Sequence, residues 1–270
     1  MQQPDQFNKG DILMKQYVVD AFSETVFHGN QAAVCILDKW LSDEMMLNIA
    51  KENNFSETAF TVKCADGYEL RWFTPGGEVP LCGHATLGTS FVLFSFYETD
   101  TEQITFHTLS GDLFISRQNG YIVMDFPEYQ YSKISVTHQM EKVMGAAPAE
   151  AYLCSELMLV YEDEKTVREM KPDFDAMMLL EGSGVAVTAP GAEYDCVSRY
   201  FAPKLKINED PVTGSVHCMI APYWAERLGK NTVKAYQASE RGGEMICELC
   251  GGRVKICGKA ALYSIDELYM

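Results

Sequence analysis

A few ionisable side chains stand close to two glycine turns in the sequence. Glu57 lies in an extended apolar segment, His84 follows Gly83 directly, and Asp210 shortly precedes Gly214. In an extended segment Glu57 shares a face with apolar neighbours, and partial removal from water suits a carboxyl group to proton transfer. Each residue also fits a structural role, because Glu57 can end a strand in water, His84 can be a bonded core residue and Asp210 can cap a helix.

The two turns resemble each other and are 131 residues apart, counted between Gly83 and Gly214. Residues 82–86 (CGHAT) and 213–217 (TGSVH) each lead into an apolar segment. A glycine at a helix start permits close approach of a ligand, and the free N–H groups of the first turn attract an anion. Two such helix starts facing each other would clamp a small acid, and they predict that the chain consists of two similar halves.

The cysteines offer one candidate for chemistry. Cys82 adjoins the first glycine at a helix start, where a thiolate is stabilised, so it fits a reactive thiol as well as a buried structural one. Cys247 and Cys250 fall on opposite faces of a strand, and Cys257 lacks a matching ligand pair, which argues against zinc. No phosphate-binding glycine motif is present. The sequence therefore predicts neither a metal site nor a cofactor.

Composition excludes several classes of function. The chain has 270 residues and a formal charge of −16, so it repels nucleic acids and anionic membranes. No apolar run is long enough to span a bilayer, and the polar residues 1–11 predict no secretory signal. Nine scattered cysteines are typical of reduced thiols in a cytoplasm. We expect a cytoplasmic protein that binds a small molecule.

The elements that must position these residues are mostly strands. Apolar runs bounded by turn residues predict strands at 15–21, 32–37, 55–63, 68–73, 103–107, 113–117, 121–126, 153–160, 184–188, 196–201, 244–249 and 253–256. Ser42 caps a predicted helix through Asn53, and residues 87–96 and 218–228 predict two buried helices. Pro222 should kink the second of these or start a new turn. A short connection near 127–133 divides the chain into residues 1–128 and 129–270.

Several segments, taken together and in order, resemble the phenazine biosynthesis-like (PhzF) family. They are Asp20-Ala21-Phe22, 28–34 (HGNQAAV), 55–60 (FSETAF), 73–75 (FTP), Glu78-Val79, 81–86 (LCGHAT), 209–217 (EDPVTGSVH) and 237–243 (QASERGG). The resemblance implies an α+β fold of the diaminopimelate-epimerase type. Two halves related by a pseudo-twofold axis would each wrap a strongly bent, mostly antiparallel sheet around a central helix, with the active site between them. The strand after about residue 257 would return to the first half.

The resemblance also implies an activity and residue roles. Family chemistry is the cofactor-independent isomerisation of a small cyclic hydroxy amino acid by moving a proton. Glu57 would be the acid/base, with His84 and Asp210 as the other catalytic residues. The implied substrate-binding residues are Ser56, Cys82, Gly83, Gly214 and Ser215. Family members are commonly homodimers, and we expect the same here.

Two alternatives to a carboxylate proton shuttle stay open. Related epimerases and racemases use two opposed cysteines, one at each glycine turn, and only Cys82 matches that pattern, since Cys218 lies one helical turn further in. An epimerase using Cys82 is the first alternative. A non-catalytic metabolite-binding protein of the same fold is the second.

Overall fold

The computed structural model describes residues 13–270. The polar residues 1–11, on which the prediction of no secretory signal rests, lie outside the described residues. None of the helices from residue 13 onward combines the length and the apolar character that a bilayer crossing needs.

Residues 13–128 contain eight strands and two helices. In chain order these are β1 (Leu13–Ala21), β2 (Asn30–Leu37), α1 (Asp43–Asn53), β3 (Glu57–Lys63), β4 (Tyr68–Thr74), β5 (Gly77–Val79), α2 (Gly83–Phe96), β6 (Gln103–Thr108), β7 (Gly111–Gln118) and β8 (Tyr121–Pro127). Residues from 129 onward contain ten strands, four α-helices and a 3₁₀ turn. These are β9 (Ser132–Ile134), α3 (His138–Met144), β10 (Glu150–Leu153), β11 (Leu157–Val160), α4 (Glu164–Glu169), α5 (Phe174–Met177), β12 (Val185–Pro190), β13 (Cys196–Ala202), the 3₁₀ turn Pro203–Leu205, β14 (Ile207–Asp210), α6 (His217–Leu228), β15 (Thr232–Gln237), β16 (Gly243–Leu249), β17 (Arg253–Gly258) and β18 (Ala260–Tyr269).

The strand pairings of the first part of the chain recur in the second. In the first part, β1–β2 is antiparallel, β2–β3 parallel across α1, β3–β4 and β4–β5 antiparallel, and β4–β6 parallel across α2. In the second, β10–β11 is antiparallel, β11–β12 parallel across α4 and α5, β12–β13 and β13–β14 antiparallel, and β13–β15 parallel across α6. Antiparallel pairings β6–β7–β8 and β15–β16–β17 complete each series. The repeat confirms the predicted α+β fold of two similar halves.

The helices α2 and α6 occupy equivalent places in this repeat and form the centre of the core. Both are almost wholly buried, from His84 to Phe94 in α2 and from His217 to Ala225 in α6. A helix that is apolar on nearly every side is stable only when the sheet surrounds it. α2 packs on β1, β2, β3 and β8, and α6 packs on β15, β16 and β17.

The two parts are joined by two strand pairings as well as by the chain. β17 pairs antiparallel with β8, and β18 pairs antiparallel with β1 along its whole length. The last strand thus lies against the first part of the chain. The division at residues 128 and 129 stays a prediction.

Two predictions about local structure need correction. Residues 153–160 are not one strand, because β10 and β11 form a hairpin in which the Cys154 N–H donates to the Glu156 carbonyl at 3.0 Å. Pro222 does not start a new turn, since α6 runs through it, and the kink stays a prediction. Proline has no N–H to bond the carbonyl of Cys218, and the N–H of Tyr129 donates to that oxygen instead, at 3.0 Å.

Candidate active site

A cleft of about 400 Å³ lies where residues of the two parts of the chain face each other. Its walls are Glu57, Leu81, Cys82, Gly83, His84, Phe126, Pro127, Tyr129, Glu156, Tyr200, Ala202, Leu205, Ile207, Asp210, Thr213, Gly214, Ser215 and Cys218. All but one of the predicted site residues are among them. The lining carries three carboxyl groups and one histidine, but no lysine or arginine.

Glu57 and His84 form the ionisable pair of the cleft. Glu57 begins β3 and His84 is the second residue of α2, and their side chains are 14% and 7% exposed. Glu57 Oε2 lies 3.2 Å from His84 Nε2. Within the described part of the chain neither atom has a hydrogen-bond partner, so charge alone holds the pair. Both atoms are shielded from solvent, and their capacity to form a hydrogen bond is unused.

The environment of His84 favours its charged form. Burial by itself disfavours an imidazolium, but Cys82 and Glu57 outweigh it and raise the pKa of His84 well above its ordinary value. Cys82 Sγ lies 3.5 Å from His84 Nδ1. Burial, together with the charge of Glu57, raises the pKa of the Cys82 thiol, which keeps the sulfur protonated. The cleft thus holds three coupled ionisable side chains, in which the charge of Glu57 favours the protonated forms of both His84 and Cys82.

Asn30, the first residue of β2, connects the two sides of the cleft. Its Nδ2 donates to Asp210 Oδ1 at 2.7 Å and to the Val212 carbonyl at 3.0 Å, and it lies 3.2 Å from His84 Nδ1. An amide NH₂ has two hydrogens, and the two shorter contacts use both. His84 Nδ1 is then free to carry its own proton, which faces Cys82 Sγ.

Asp210 ends β14 and faces His84 from the second part of the chain. Burial raises the pKa of its carboxyl group, and the negative charge of Glu57 adds to that effect. His84, a hydrogen bond from the Thr213 hydroxyl and the bond from Asn30 act in the opposite direction. Asp210 is consequently a buried acid held by hydrogen bonds rather than a solvated surface acid.

The turn at Gly214 is held by buried amides and an uncharged histidine. Gln237 accepts from the Thr213 N–H at 2.8 Å and donates to the Asp210 carbonyl at 2.7 Å. His217 Nδ1 donates to the Thr213 carbonyl at 2.8 Å, and its Nε2 lies 3.1 Å from the hydroxyl of Ser198. Burial lowers the pKa of His217 to about 4, so the ring is neutral. This histidine supports the turn and does not line the cleft.

The two cleft helices differ from the other α-helices in how they begin. The remaining four have a side-chain oxygen that accepts from an N–H of the first turn, supplied by Ser42, Thr137, Asp163 and Asp173. At α2 and α6 the N-cap residues are Cys82 and Val216, and neither forms such a bond. The first N–H groups of a helix have no partner inside it, so an uncapped start can bind an anion. The cleft therefore meets an uncapped helix start at α2. At α6 the N–H groups of His217, Cys218 and Met219 donate to the carbonyls of the preceding turn at 3.0–3.1 Å, so the N–H groups left for an anion are those of the turn itself, residues 214–216.

Sequence reasoning placed most of the site and missed part of it. Ser56 does not line the cleft, because neighbouring positions of an extended chain face opposite sides and Glu57 takes the inward one. Cys218 lines the cleft, although the spacing had placed it one turn further in. Several other residues of the site had not been identified, and four of them carry its polar groups. These are Asn30, Tyr129, Glu156 and Tyr200.

Three side chains of the cleft can act as ligands to a metal ion. The donor atoms of Glu57, Cys82 and His84 lie within 4.8 Å of one another. The same set can instead handle protons. A thiol that burial keeps protonated is a poor metal ligand, and this favours the second use.

Comparison with known proteins identifies the relatives of this chain. A family model described as phenazine biosynthesis-like protein matches residues 19–265. An uncharacterised isomerase of Pseudomonas aeruginosa is 47% identical over 251 residues, which are 93% of this chain and 96% of the relative. The crystal structure of a PhzF-family phenazine biosynthesis protein from Enterococcus faecalis has a TM-score of 0.94 and 49% identity, covering 96% of this chain and 100% of that one.

More distant structures share the fold alone. A hydroxyproline epimerase from Agrobacterium vitis has a TM-score of 0.61 with 9% identity, covering 96% of this chain and 93% of that one. The architecture is thus the diaminopimelate-epimerase-like fold that the sequence resemblance implies.

Proposed function

Because the chain belongs to the phenazine biosynthesis-like family and is an isomerase, we propose that it moves a proton within a small carboxylate-bearing substrate. Glu57 is the acid/base in this proposal, and no added cofactor takes part. The observation that carries it is the position of Glu57 Oε2, which is buried in the cleft, lies 3.2 Å from a cationic imidazole and has no hydrogen-bond partner in residues 13–270.

The proposed step begins with Glu57 as a carboxylate. It takes a proton from one substrate carbon and returns it to another, while the imidazolium of His84 stabilises the negative charge that develops between the two transfers. A positioned acid/base of this kind contributes about 10² to 10⁴ in rate. Closure of the two parts of the chain around the substrate excludes water and strengthens these electrostatic effects.

The charges of the lining favour an amino-acid-like substrate. No lysine or arginine lines the cleft, and His84 faces Glu57, so the N–H groups at the start of α2 and in the turn at 214–216 are the groups that receive the carboxylate. Glu156 lies on the second side, where its Oε2 accepts from the Tyr200 hydroxyl at 2.8 Å. Its negative charge suits an ammonium group. The volume of about 400 Å³ limits the substrate to a small molecule.

The experiment starts with a thermal-shift screen of small cyclic and amino carboxylates. Each compound that stabilises the protein is then followed by proton NMR in heavy water. We expect solvent deuterium to enter the substrate with the wild-type protein, and Glu57→Gln to lower the rate about 10²-fold or more while binding persists.

Glu52, an exposed residue of α1, provides the matched control, since Glu52→Gln makes the same chemical change outside the cleft. Unchanged exchange in the Glu57 variant contradicts the proposed role. No exchange with any stabilising acid favours the metabolite-binding alternative.

A thiol-dependent epimerase is the second candidate function, because Cys82 and Cys218 both line the cleft. Burial raises the pKa of both thiols, for Cys218 to about 12, and a protonated thiol is a poor base. This favours the carboxylate. The thiol would be favoured instead if alkylation abolished turnover, if bound substrate prevented this loss, and if the Cys82→Ala variant no longer reacted with the alkylating agent.

Homodimer formation and a cytoplasmic location remain predictions. Analytical ultracentrifugation of the purified protein tests the first, and fractionation of cells tests the second.

A further inference from the structure

Three metal-ligand side chains meet on the surface of the first part of the chain, outside the cleft. Cys64 and Asp66 belong to the turn between β3 and β4, and His107 lies on β6. Their sulfur, oxygen and nitrogen donor atoms all lie within 4.8 Å of one another. The two segments are more than 40 residues apart, and sequence inspection did not connect them.

The imidazole of His107 is oriented toward the other two ligands. Nδ1 lies 2.8 Å from Asp112 Oδ1, on the neighbouring strand β7. Nε2 lies 3.2 Å from Asp66 Oδ1, is shielded from solvent and has no hydrogen-bond partner in the described part of the chain. When Nδ1–H donates to a carboxylate, the lone pair of Nε2 is free to bind a metal, and histidine ligands in metalloproteins are commonly held in this way.

We propose that Cys64, Asp66 and His107 form a binding site for a divalent transition metal, with Asp112 orienting the imidazole. Zn²⁺ is the best match, because thiolate, imidazole and carboxylate are its usual ligands and three of them leave a fourth position for water. Asp66 has 79% of its side chain exposed, so an ion has access from solvent. The three donor types also exclude Ca²⁺ and Mg²⁺, which prefer oxygen ligands.

The backbone brings the ligands together at a close approach between two segments. The N–H of Cys64 donates to the Gly67 carbonyl at 3.0 Å and closes the turn. A Cβ atom at Gly67 would lie 2.4 Å from the carbonyl oxygen of Thr105, so only glycine permits this distance. β4 then pairs parallel with β6, with Glu69 opposite His107. A bound metal would fasten the β3–β4 turn to the β6–β7 hairpin.

A proton competes with the metal for His107. The hydrogen bond to Asp112 and the charge of Asp66 raise the pKa of His107, and a protonated Nε2 cannot bind a metal. The Cys64 thiol must also lose its proton to bind. Metal binding therefore releases protons, and its affinity increases with pH.

The test uses the full chain after removal of metals with EDTA. Zn²⁺ is titrated against a chromophoric chelator, and Co²⁺ binding is followed by absorption. We expect one ion per chain, a thiolate-to-cobalt charge-transfer band, and a Tm increase of about 5 °C when Zn²⁺ is at one hundred times its Kd. Affinity should rise between pH 6 and pH 8.

Variants decide which cluster binds the ion. Cys64→Ser should remove the charge-transfer band, and Asp112→Asn should weaken binding about 10- to 100-fold. Cys250→Ser changes an exposed thiol outside both clusters, and Cys82→Ser changes the ligand set of the cleft; both should retain the band. Loss of the band in Cys82→Ser with its retention in Cys64→Ser would place the metal in the cleft and overturn the proposal. Absence of binding at micromolar Zn²⁺ would overturn it as well.

Discussion

The two helix starts that face the cleft are equivalent in the repeat, yet their histidines are in opposite states. At α2, His84 faces Glu57 and Cys82, and its pKa lies well above the ordinary value. At α6, His217 is bonded to the Thr213 carbonyl and near Ser198, and its pKa is about 4. Both rings are buried. The difference comes from their neighbours, because only the first has a carboxylate beside it.

The two turns therefore differ in which of their groups can change protonation. The turn at α2 carries groups that can change protonation, while the turn at α6 is held by amides and a neutral ring that cannot change it near pH 7. The acidic residues that precede the two turns differ as well. Asp210 lines the cleft, whereas Glu78 is paired with Arg71 at 2.7 Å and does not. The first half therefore supplies the charged histidine and the second half a buried acid, so both halves of the repeat contribute ionisable groups to the cleft.

The largest expected effect follows from replacing each histidine in turn. His84→Gln removes the cation beside Glu57, and we expect the rate of substrate hydrogen exchange to fall about 10²- to 10⁴-fold. His217→Gln should leave the rate within about threefold, because that ring neither lines the cleft nor carries a charge. Proton NMR in heavy water measures both, and circular dichroism controls for folding.

Equal decreases of the exchange rate in the two variants would contradict this difference between the two turns. If the His84 variant lost activity only through a higher KM, with kcat unchanged, this residue would be assigned to substrate binding instead.

The local part of the site could be predicted from the sequence. Gly83 with His84, and Gly214 with Ser215, are contiguous, and the helices that follow are apolar enough to be recognised as buried. Glu57 was noted because in an extended segment its carboxyl group shares a face with apolar neighbours, and its role as acid/base was implied by the family resemblance. Each of these inferences depends on neighbours along the chain.

The rest of the site depends on contacts that no local pattern contains. Asn30 bonds Asp210 across 180 positions, and the cluster of Cys64 with His107 depends on a parallel strand pairing. The turn between β10 and β11, residues 154–156, lacks the glycine or proline that marks most turns. The sequence pattern therefore predicted one continuous strand where the structure has a hairpin.

The second effect is on stability and tests the neutral state of His217. Its pKa is about 4 in the folded protein and 6.5 as an ordinary value. As the pH falls, the unfolded chain therefore takes up a proton on this histidine before the folded protein does. The contribution of His217 to the free energy of unfolding is full above pH 6.5 and is lost as the pH falls toward 4. The loss is about 3 kcal/mol.

Urea unfolding of wild type and His217→Gln at pH 7 and pH 4.5 measures this effect. The variant should lose less stability on acidification than the wild type does. Parallel pH profiles would show that the ring is not held neutral.

A third, smaller effect concerns Gln237, since among residues 13–270 no amide side chain bonds the backbone of the first turn in the same way. Gln237→Ala leaves the Thr213 N–H and the Asp210 carbonyl without their partner, and we expect a decrease of about 2 kcal/mol in the free energy of unfolding. Gln118→Ala, at an exposed position, is the control and should change stability by less than about 0.5 kcal/mol. A similar cost for both would mean that the second turn does not depend on this clamp.

The smallest effect on stability belongs to Gly83→Ala, and it separates a ligand role from a backbone role. A Cβ atom at Gly83 would meet nothing within 4 Å, whereas at Gly214 it would lie 3.4 Å from the ring of Phe22. Neither glycine has a positive φ. Since the fold does not need glycine at position 83, we expect Gly83→Ala to change stability by less than about 0.5 kcal/mol.

The added methyl group stands in the cleft beside the first N–H groups of α2, so KM should rise about 10-fold, the equivalent of one lost contact with substrate. Thermal unfolding and steady-state kinetics on one preparation test both halves of this expectation. An unchanged KM would place the substrate away from this helix start and leave anion binding to the turn at α6.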